Sequence, residues 1–129
     1  MREIKVVAAV IEREGKILIA QRNKGEFEGL WEFPGGKIEL RETEQEALAR
    51  EIKEEFNINI EVKDHLISIK YDYSTFHLNM SCYICHINND QITLHDHYAI
   101  KWINPSEKNI NWVPADIKVI NAYNKYIGN

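Results

Sequence analysis

The chain has 129 residues and a mass of 15.1 kDa, which is the size of one domain, and we expect residues 1–129 to form it. Hydrophobic residues make up 44% and charged residues 28%, which is typical of a globular protein. The net charge of −4 argues against a nucleic-acid polymer as partner, because such a protein needs a basic face. We expect no membrane span, no cleavable leader and a cytoplasmic location.

The acidic excess lies in one short segment, residues 39–55. This segment contains seven acidic and three basic residues, so it carries the whole net charge of the chain. The concentration of acidic residues in this segment is therefore the main feature to be explained.

The chain begins with a predicted β-hairpin. Residues 5–12 and 16–21 are rich in β-branched and apolar side chains, and the Glu14-Gly15 dipeptide between them favours a turn. Residues 23–29 are polar and contain two glycines, which predicts a loop. A short apolar segment follows at residues 30–33.

Residues 43–55 give the clearest helix signal. A glycine-rich bend is predicted just before them, at residues 34–36. Thr43 and Glu46 have the spacing of a capping box. Asn57 is suited to a left-handed residue at the end of the helix. The apolar face consists of Ala47, Leu48 and Ile52.

The second half of the chain predicts strands at residues 58–62, 66–73 and 77–87, followed by a turn at residues 88–90. Two short extended segments at residues 92–94 and 98–103 flank a His-Asp-His loop. A second helix is predicted from residue 114 to residue 127. Two helices and several mostly antiparallel strands indicate an α+β fold with the sheet between helices.

Three glutamates of the first helix, Glu51, Glu54 and Glu55, are spaced three and four residues apart and so lie on one side of it. Carboxylates at this spacing repel one another unless a cation lies between them. Oxygen ligands without thiolate favour a hard cation such as Mg²⁺, with Mn²⁺ possible. The alternative is a solvated acidic helix face. The glycines before the helix, where backbone approaches an ion or a phosphate closely, favour the metal.

Residues 36–58 resemble the Nudix box, Gly-x5-Glu-x7-Arg-Glu-U-x-Glu-Glu-x-Gly-U with U aliphatic. Asn57 stands where the family has its last glycine, and the other eight positions match: Gly36, Glu42, Arg50, Glu51, Ile52, Glu54, Glu55 and Ile58. Over nearly its whole length the chain is similar to Nudix hydrolases of the MutT-like and CTP-pyrophosphohydrolase-like type. The resemblance implies the Nudix fold, an α/β/α sandwich around a mixed β-sheet.

The resemblance also implies an activity. Enzymes of this type hydrolyse nucleoside triphosphates to a nucleoside monophosphate and pyrophosphate, with oxidised dGTP or CTP and dCTP as candidate substrates. Carried over by position, the carbonyl oxygen of Gly35 and the carboxylates of Glu51, Glu54 and Glu55 would hold the metal. Arg50 would orient a glutamate.

The general base is assigned first to Glu54 and second to Asp96, which lies on the loop where the family often places an acid. From loop composition alone, Asp96 belongs equally well to a polar surface turn.

Four residues are candidates for substrate binding, each with a structural alternative. Arg22 is expected to reach a phosphate, or else to be a surface arginine. Phe33 and Tyr73 are expected to stack on the base, or else to belong to the core. Asp116 matches a position that reads the base in similar enzymes, or else it caps the second helix.

The Cys82-x-x-Cys85-His86 run fits a haem-attachment motif. We reject this interpretation, because a strand places the two cysteines on opposite faces. Two other functions stay open: a non-catalytic nucleotide-sensing module, and a Nudix enzyme for another nucleoside diphosphate derivative. Both a monomer and a homodimer are compatible with the sequence.

Overall fold

One mixed β-sheet forms the centre of the fold in this computed structural model, which describes residues 1–88 and 91–128. The elements in chain order are β1 (Arg2–Arg13), β2 (Lys16–Arg22), β3 (Trp31–Glu32), β4 (Gly35–Lys37), α1 (Glu44–Phe56), β5 (Ile60–Asp72), β6 (Phe76–Ile87), β7 (His97–Ile103) and α2 (Asp116–Tyr126). The strand order is β3-β2-β1-β6-β5, with β4 also paired to β1 and β7 to β2. Strands β1 and β6 are parallel, and the other pairs are antiparallel.

The two helices cover opposite faces of the sheet. Successive side chains of a strand point to opposite faces, and β1 follows this rule. Val10 belongs to the buried apolar cluster that contains Val119 of α2, whereas Ala9 belongs to the cluster that contains Leu48 of α1. The predicted α/β/α sandwich is therefore confirmed.

The predicted hairpin between β1 and β2 is also confirmed. Arg13 pairs with Lys16 across a two-residue turn, and both turn residues have positive φ, 52° at Glu14 and 78° at Gly15. This is the backbone of a turn that matches the right-handed twist of a hairpin.

Both ends of α1 are formed as the sequence predicts. The Thr43 hydroxyl accepts from the Glu46 amide at 3.1 Å, and the Thr43 amide donates to the Glu46 carboxylate at 2.9 Å. At the other end Asn57 adopts the left-handed conformation, with φ 55° and ψ 37°. The asparagine therefore fills the position that a glycine holds in the family motif.

Three predicted segments differ in the structure. The two strands predicted at residues 58–62 and 66–73 are replaced by the single strand β5 (Ile60–Asp72), whose register with β6 shifts between Val62 and Asp64 and between His65 and Ile67. The polar residues that suggested a break lie at these bulges. The glycine-rich bend is instead strand β4, paired with β1.

Residues 92–94 form no strand, although the Thr93 amide donates to the Phe56 carbonyl at 3.0 Å. Of the predicted turn at residues 88–90, Asn89 and Asp90 lie outside the described residues.

The two cysteines lie on opposite faces of the sheet, as expected. Cys82 packs in the cluster beside α2 and Cys85 in the cluster beside α1, and both are buried. Burial raises the pKa of the Cys85 thiol to about 12. The pair cannot act as one binding motif.

None of the helices in residues 1–88 and 91–128 combines the length and the apolar character needed to cross a bilayer.

Candidate active site

Strand β4 and helix α1 bring the backbone of the glycine pair close to the carboxylates of the helix. A side chain at Gly36 would overlap the Glu51 carboxylate, and one at Gly35 would overlap the backbone of Val7 in β1. Glycine is required at Gly35, because the overlap there is with backbone, whereas a larger residue at Gly36 would displace the Glu51 carboxylate. The sequence predicted that the glycines would lie close to an ion or a phosphate, but it predicted neither this packing against Glu51 nor the strand pairing that produces it.

Arg50 organises the glutamates of the Nudix-like segment. Its guanidinium donates to both oxygens of Glu42, at 2.6 and 2.9 Å, and to Glu51 at 2.9 Å. It also reaches Glu54 at 3.3 Å and the carbonyl of Lys37 at 3.0 Å. These charge-assisted bonds raise the pKa of Arg50 and lower the pKa of Glu42. Arg50 therefore fixes the loop before α1 to the helix.

The three candidate metal ligands of α1 occupy different environments. Glu51 and Glu54 both contact Arg50, but the Glu51 side chain is 15% exposed and that of Glu54 is 59% exposed. Burial raises the pKa of Glu51 against the opposing effect of Arg50. Glu55 lies apart from Arg50 and lines a cavity.

Glu55 is the most perturbed acid of this group. Burial first, and then the negative charges of Glu51, Glu32 and Asp96, raise its pKa to about 8. Its Oε2 atom is buried and has no hydrogen-bond partner. A buried carboxylate with a free oxygen is a ligand that a cation would stabilise.

The carboxylate oxygens of these residues therefore suit a hard divalent cation, although they do not converge on one point in this structure. Among residues 1–88 and 91–128, no three His, Cys, Asp or Glu side chains converge on one point. The ligands are separated because Glu51 and Glu54 are paired with Arg50, whereas Glu55 lines the cavity.

The cavity has a volume of about 390 Å³ and joins the acidic helix to the sheet. It contains the glycine pair and every candidate substrate residue. The residues that matter for its chemistry are Arg22, Glu32, Phe33, Gly35, Gly36, Glu55, Tyr73, Asp96, His97 and Asp116. Glu51, Glu54 and Arg50 are not part of its wall.

Arg22 lies partly exposed at the edge of the cavity. It forms an ion pair with Glu32 at 3.0 Å, and its side chain is 35% exposed. Tyr73 packs against Phe27 and Phe76, with ring centroids 5.1 Å away in each case, and its hydroxyl accepts from the amide of Ala115 at 3.0 Å. Both side chains border the cavity.

Phe33 and Asp116 are linked in the core beside the cavity. Phe33 is 3% exposed and stacks on Trp112, and its amide donates to Oδ1 of Asp116 at 3.0 Å. The alternative that Asp116 caps α2 is wrong, because the cap residue is Ala115 and no side-chain cap bond is present. Burial, followed by the charge of Glu32, raises the pKa of Asp116 well above its usual range.

The sequence did not single out Glu32 and His97. The His97 side chain is 5% exposed, and its Nε2 atom lies 2.9 Å from the Glu32 carboxylate. Its Nδ1 atom faces Glu55 at 3.9 Å. A polar residue between Trp31 and Phe33 was the available signal for Glu32, whereas His97 looked like part of a polar loop.

Known proteins identify the family. Residues 6–122 match the family model described as the NUDIX domain, so the chain belongs to the Nudix family.

Three relatives indicate the part of the family to which it is similar. It is 38% identical over 125 residues to the CTP pyrophosphohydrolase of Escherichia coli (strain K12), covering 95% of this chain and 93% of that protein. It is 35% identical over 85 residues to the 8-oxo-dGTP diphosphatase of Proteus vulgaris, covering 64% of this chain and 76% of that protein. The solution structure of the E. coli ORF135 protein matches with a TM-score of 0.86 and 36% identity, covering 99% and 93% of the two chains.

Proposed function

We propose that the protein is a Mg²⁺-dependent pyrophosphohydrolase that cleaves nucleoside triphosphates to a nucleoside monophosphate and pyrophosphate. Its relatives include enzymes named for CTP and for 8-oxo-dGTP, and these are the first candidate substrates, together with dCTP. The observation that carries the proposal is that Glu55, from the Nudix-box helix, and Asp116, from the opposite side of the sheet, border one cavity. A nucleotide in this cavity could place its phosphates near Glu55 and its base near Asp116.

The metal would be held by Glu51, Glu54, Glu55 and the carbonyl oxygen of Gly35, with Mn²⁺ as the alternative ion. When bound, it supplies charge neutralisation of the phosphate chain and acidifies a water molecule. The protein side chains position the metal and the phosphates, and such positioning dominates the catalysis of phosphoryl transfer. Arg50 contributes by holding Glu51 and Glu54 in place, without touching substrate.

The general base is Glu54 in this proposal, with Asp96 as the second candidate. Glu54 is solvent-accessible and contacts Arg50 through one oxygen at 3.3 Å, so it can accept a proton from an attacking water. Asp96 is exposed at the cavity wall, and its charge acts on Glu55.

Substrate contacts are assigned to Arg22, Tyr73, Phe33 and Asp116. Arg22 would bind phosphate, and the two aromatic residues would border the base. The raised pKa of Asp116 favours a neutral carboxyl group, which both donates and accepts hydrogen bonds. Asp116 could therefore recognise a base through a hydrogen-bond acceptor as well as through a donor.

The test is a panel of nucleotides with Mg²⁺ in which pyrophosphate release is measured. The panel contains 8-oxo-dGTP, dGTP, CTP, dCTP and 5-substituted dCTPs. We expect one or more of these to be hydrolysed faster than a nucleotide sugar or a dinucleotide. Nucleotide binding without turnover would instead favour a sensing module, and faster cleavage of a nucleotide sugar would favour a different Nudix substrate class.

We also propose that the protein acts in the cytoplasm, as a monomer or a homodimer.

A further inference from the structure

His97 is held rigidly between the acidic helix and the edge of strand β3. It begins β7 and pairs with Arg22 of β2, and its ring stacks on Phe56 of α1 with centroids 5.6 Å apart. With 5% of its side chain exposed, it cannot exchange its partners for water. Its two ring nitrogens must therefore be satisfied by what surrounds them.

Glu32 fixes which nitrogen of His97 carries a proton. The guanidinium of Arg22 donates to Oε1 of Glu32 at 3.0 Å, and Nε2 of His97 lies 2.9 Å from Oε2. A carboxylate that accepts on both oxygens requires a proton on Nε2 of the imidazole. In the neutral ring, Nδ1 then carries a lone pair.

That lone pair faces the carboxyl group of Glu55. Nδ1 of His97 and Oε2 of Glu55 are both buried without a hydrogen-bond partner. They are 3.9 Å apart, which is too long for a hydrogen bond. Unless a proton or a metal ion lies between them, both atoms keep an unshared electron pair in the protein interior, which is costly. A cation placed between them would satisfy both.

We propose that Nδ1 of His97 is a direct ligand of the divalent cation, next to Glu55. A ligating histidine typically donates its other ring N–H to a carboxylate, which orients the ring, and Glu32 occupies that position here. The separation of 3.9 Å is within reach of two ligand bonds of about 2.1 Å each. The inference rests on the proposed function for the presence of the metal, and it adds a nitrogen to a ligand set that the sequence motif describes as all oxygen.

A nitrogen ligand has a consequence for metal choice. Imidazole suits later first-row metals better than Mg²⁺, and affinity rises from Mn²⁺ onward through that series. We therefore expect this protein to bind Mn²⁺ and Co²⁺ more tightly than Mg²⁺, and the preference to depend on His97.

The direct test is pulsed electron paramagnetic resonance on the unmodified protein loaded with Mn²⁺. We expect a nitrogen hyperfine coupling of the size that a bound imidazole gives. The coupling should change when the protein is made with ¹⁵N-labelled histidine. It should disappear in His97→Gln and persist in His95→Gln, a matched substitution of an exposed histidine two residues away.

Titration of the protein with Mn²⁺ and with Mg²⁺ measures the expected metal preference. Loss of a residue that only orients a metal ligand typically lowers metal affinity by about 10- to 100-fold. Loss of a direct ligand should lower the affinity by at least as much. We expect His97→Gln to lower Mn²⁺ affinity by at least about tenfold, with a smaller loss for Mg²⁺. Equal losses for the two ions would overturn the inference, since a residue that only positions Glu55 would not distinguish between them.

The measurement on the unmodified protein does not depend on the stability of any variant. Bound Mn²⁺ without nitrogen coupling would overturn the inference while leaving pyrophosphate release, and hence the proposed function, intact. Nitrogen coupling without hydrolysis of any triphosphate would support the inference and contradict the proposed function. Failure to bind Mn²⁺ would overturn both the inference and the metal dependence.

Discussion

Single residues determine the chemistry of this site through the different environments of similar carboxylates. Glu54 is exposed beside Arg50, Glu55 is buried beside the cavity, and Asp116 is buried under Phe33. The spacing of the motif predicted that the glutamates of α1 would share a side of the helix. It could not predict their separate environments, because these depend on Arg50, Glu32 and other distant partners.

Glu54→Gln tests the assignment of the general base. The substitution removes the proton acceptor and keeps the size of the side chain, so kcat should fall by about 10²- to 10⁴-fold. The thermal unfolding midpoint should change little, because the side chain is 59% exposed. Glu61→Gln, which changes an exposed acid on β5, is the matched control. Near-full activity of Glu54→Gln would show that the base lies elsewhere, with Asp96 next to be tested.

Asp116→Asn tests base recognition. Asparagine keeps an oxygen that can accept from the Phe33 amide, so the protein should fold with similar stability. It replaces a hydroxyl donor with an NH₂ group. The ranking of kcat/KM among the bases should therefore change more than kcat at saturation does. Measurement of KM and kcat for each nucleotide decides the matter, and an unchanged ranking would remove Asp116 from the base pocket.

At the scale of elements, polar contacts fix the first turn of helix α1. The capping box closes its first turn, and Glu44 accepts hydrogen bonds from Ser81 at 2.9 Å and from Tyr83 at 2.5 Å in β6. Local signals predicted the helix, its cap and its apolar face. The bonds to β6 were not predictable, because they join residues far apart in the sequence.

Asn57 gives a prediction at this scale. Asn57→Gly should leave stability unchanged or slightly higher, since glycine adopts positive φ without strain. Asn57→Ala should lower the free energy of unfolding by about 1 kcal/mol. Urea denaturation of the two variants measures the difference. Equal stability of the glycine and alanine variants would contradict the role of the left-handed conformation.

The strand errors have a common cause. Polar residues in β5 suggested two strands, and glycines suggested a bend where β4 forms. In both places pairing with a neighbouring strand overrides local preference. The pairing of β2 with β3 and β7 likewise brings Glu32 to His97, so no local pattern could have revealed that contact.

At the scale of the whole molecule, the location of the charge matters more than its total. The net charge of −4 lies in residues 39–55, the segment that contains the three glutamates proposed as metal ligands. A divalent cation there offsets part of this negative charge and can itself bind phosphate oxygens. An acidic protein can then bind a polyanionic nucleotide, with Arg22 also at the cavity wall.

The buried acid Glu55 predicts how stability depends on pH in the absence of metal. Its pKa is about 8 in the folded protein against a usual value of 4.5. Between these values the folded state keeps a proton that the unfolded state has lost, so stability falls as pH rises through this window. Asp116 contributes in the same direction. We expect a loss of a few kcal/mol between about pH 5 and pH 8.

Urea denaturation in EDTA across this pH range measures the effect. Glu55→Gln should reduce the slope, and Glu54→Gln, which changes an exposed acid, should not. Added Mg²⁺ should restore stability more at the high end of the range than at the low end, because it replaces the proton on Glu55. An unchanged slope in Glu55→Gln would contradict the environment assigned to this residue.

The identity of the hydrolysis products is the decisive test of the proposed pyrophosphohydrolase activity. The triphosphate that the protein hydrolyses fastest should be incubated with Mg²⁺, and the products separated and quantified by anion exchange. We expect nucleoside monophosphate and pyrophosphate in equal amounts, and neither product without the metal. Nucleoside diphosphate with inorganic phosphate, or no hydrolysis of any triphosphate, would contradict the proposed activity.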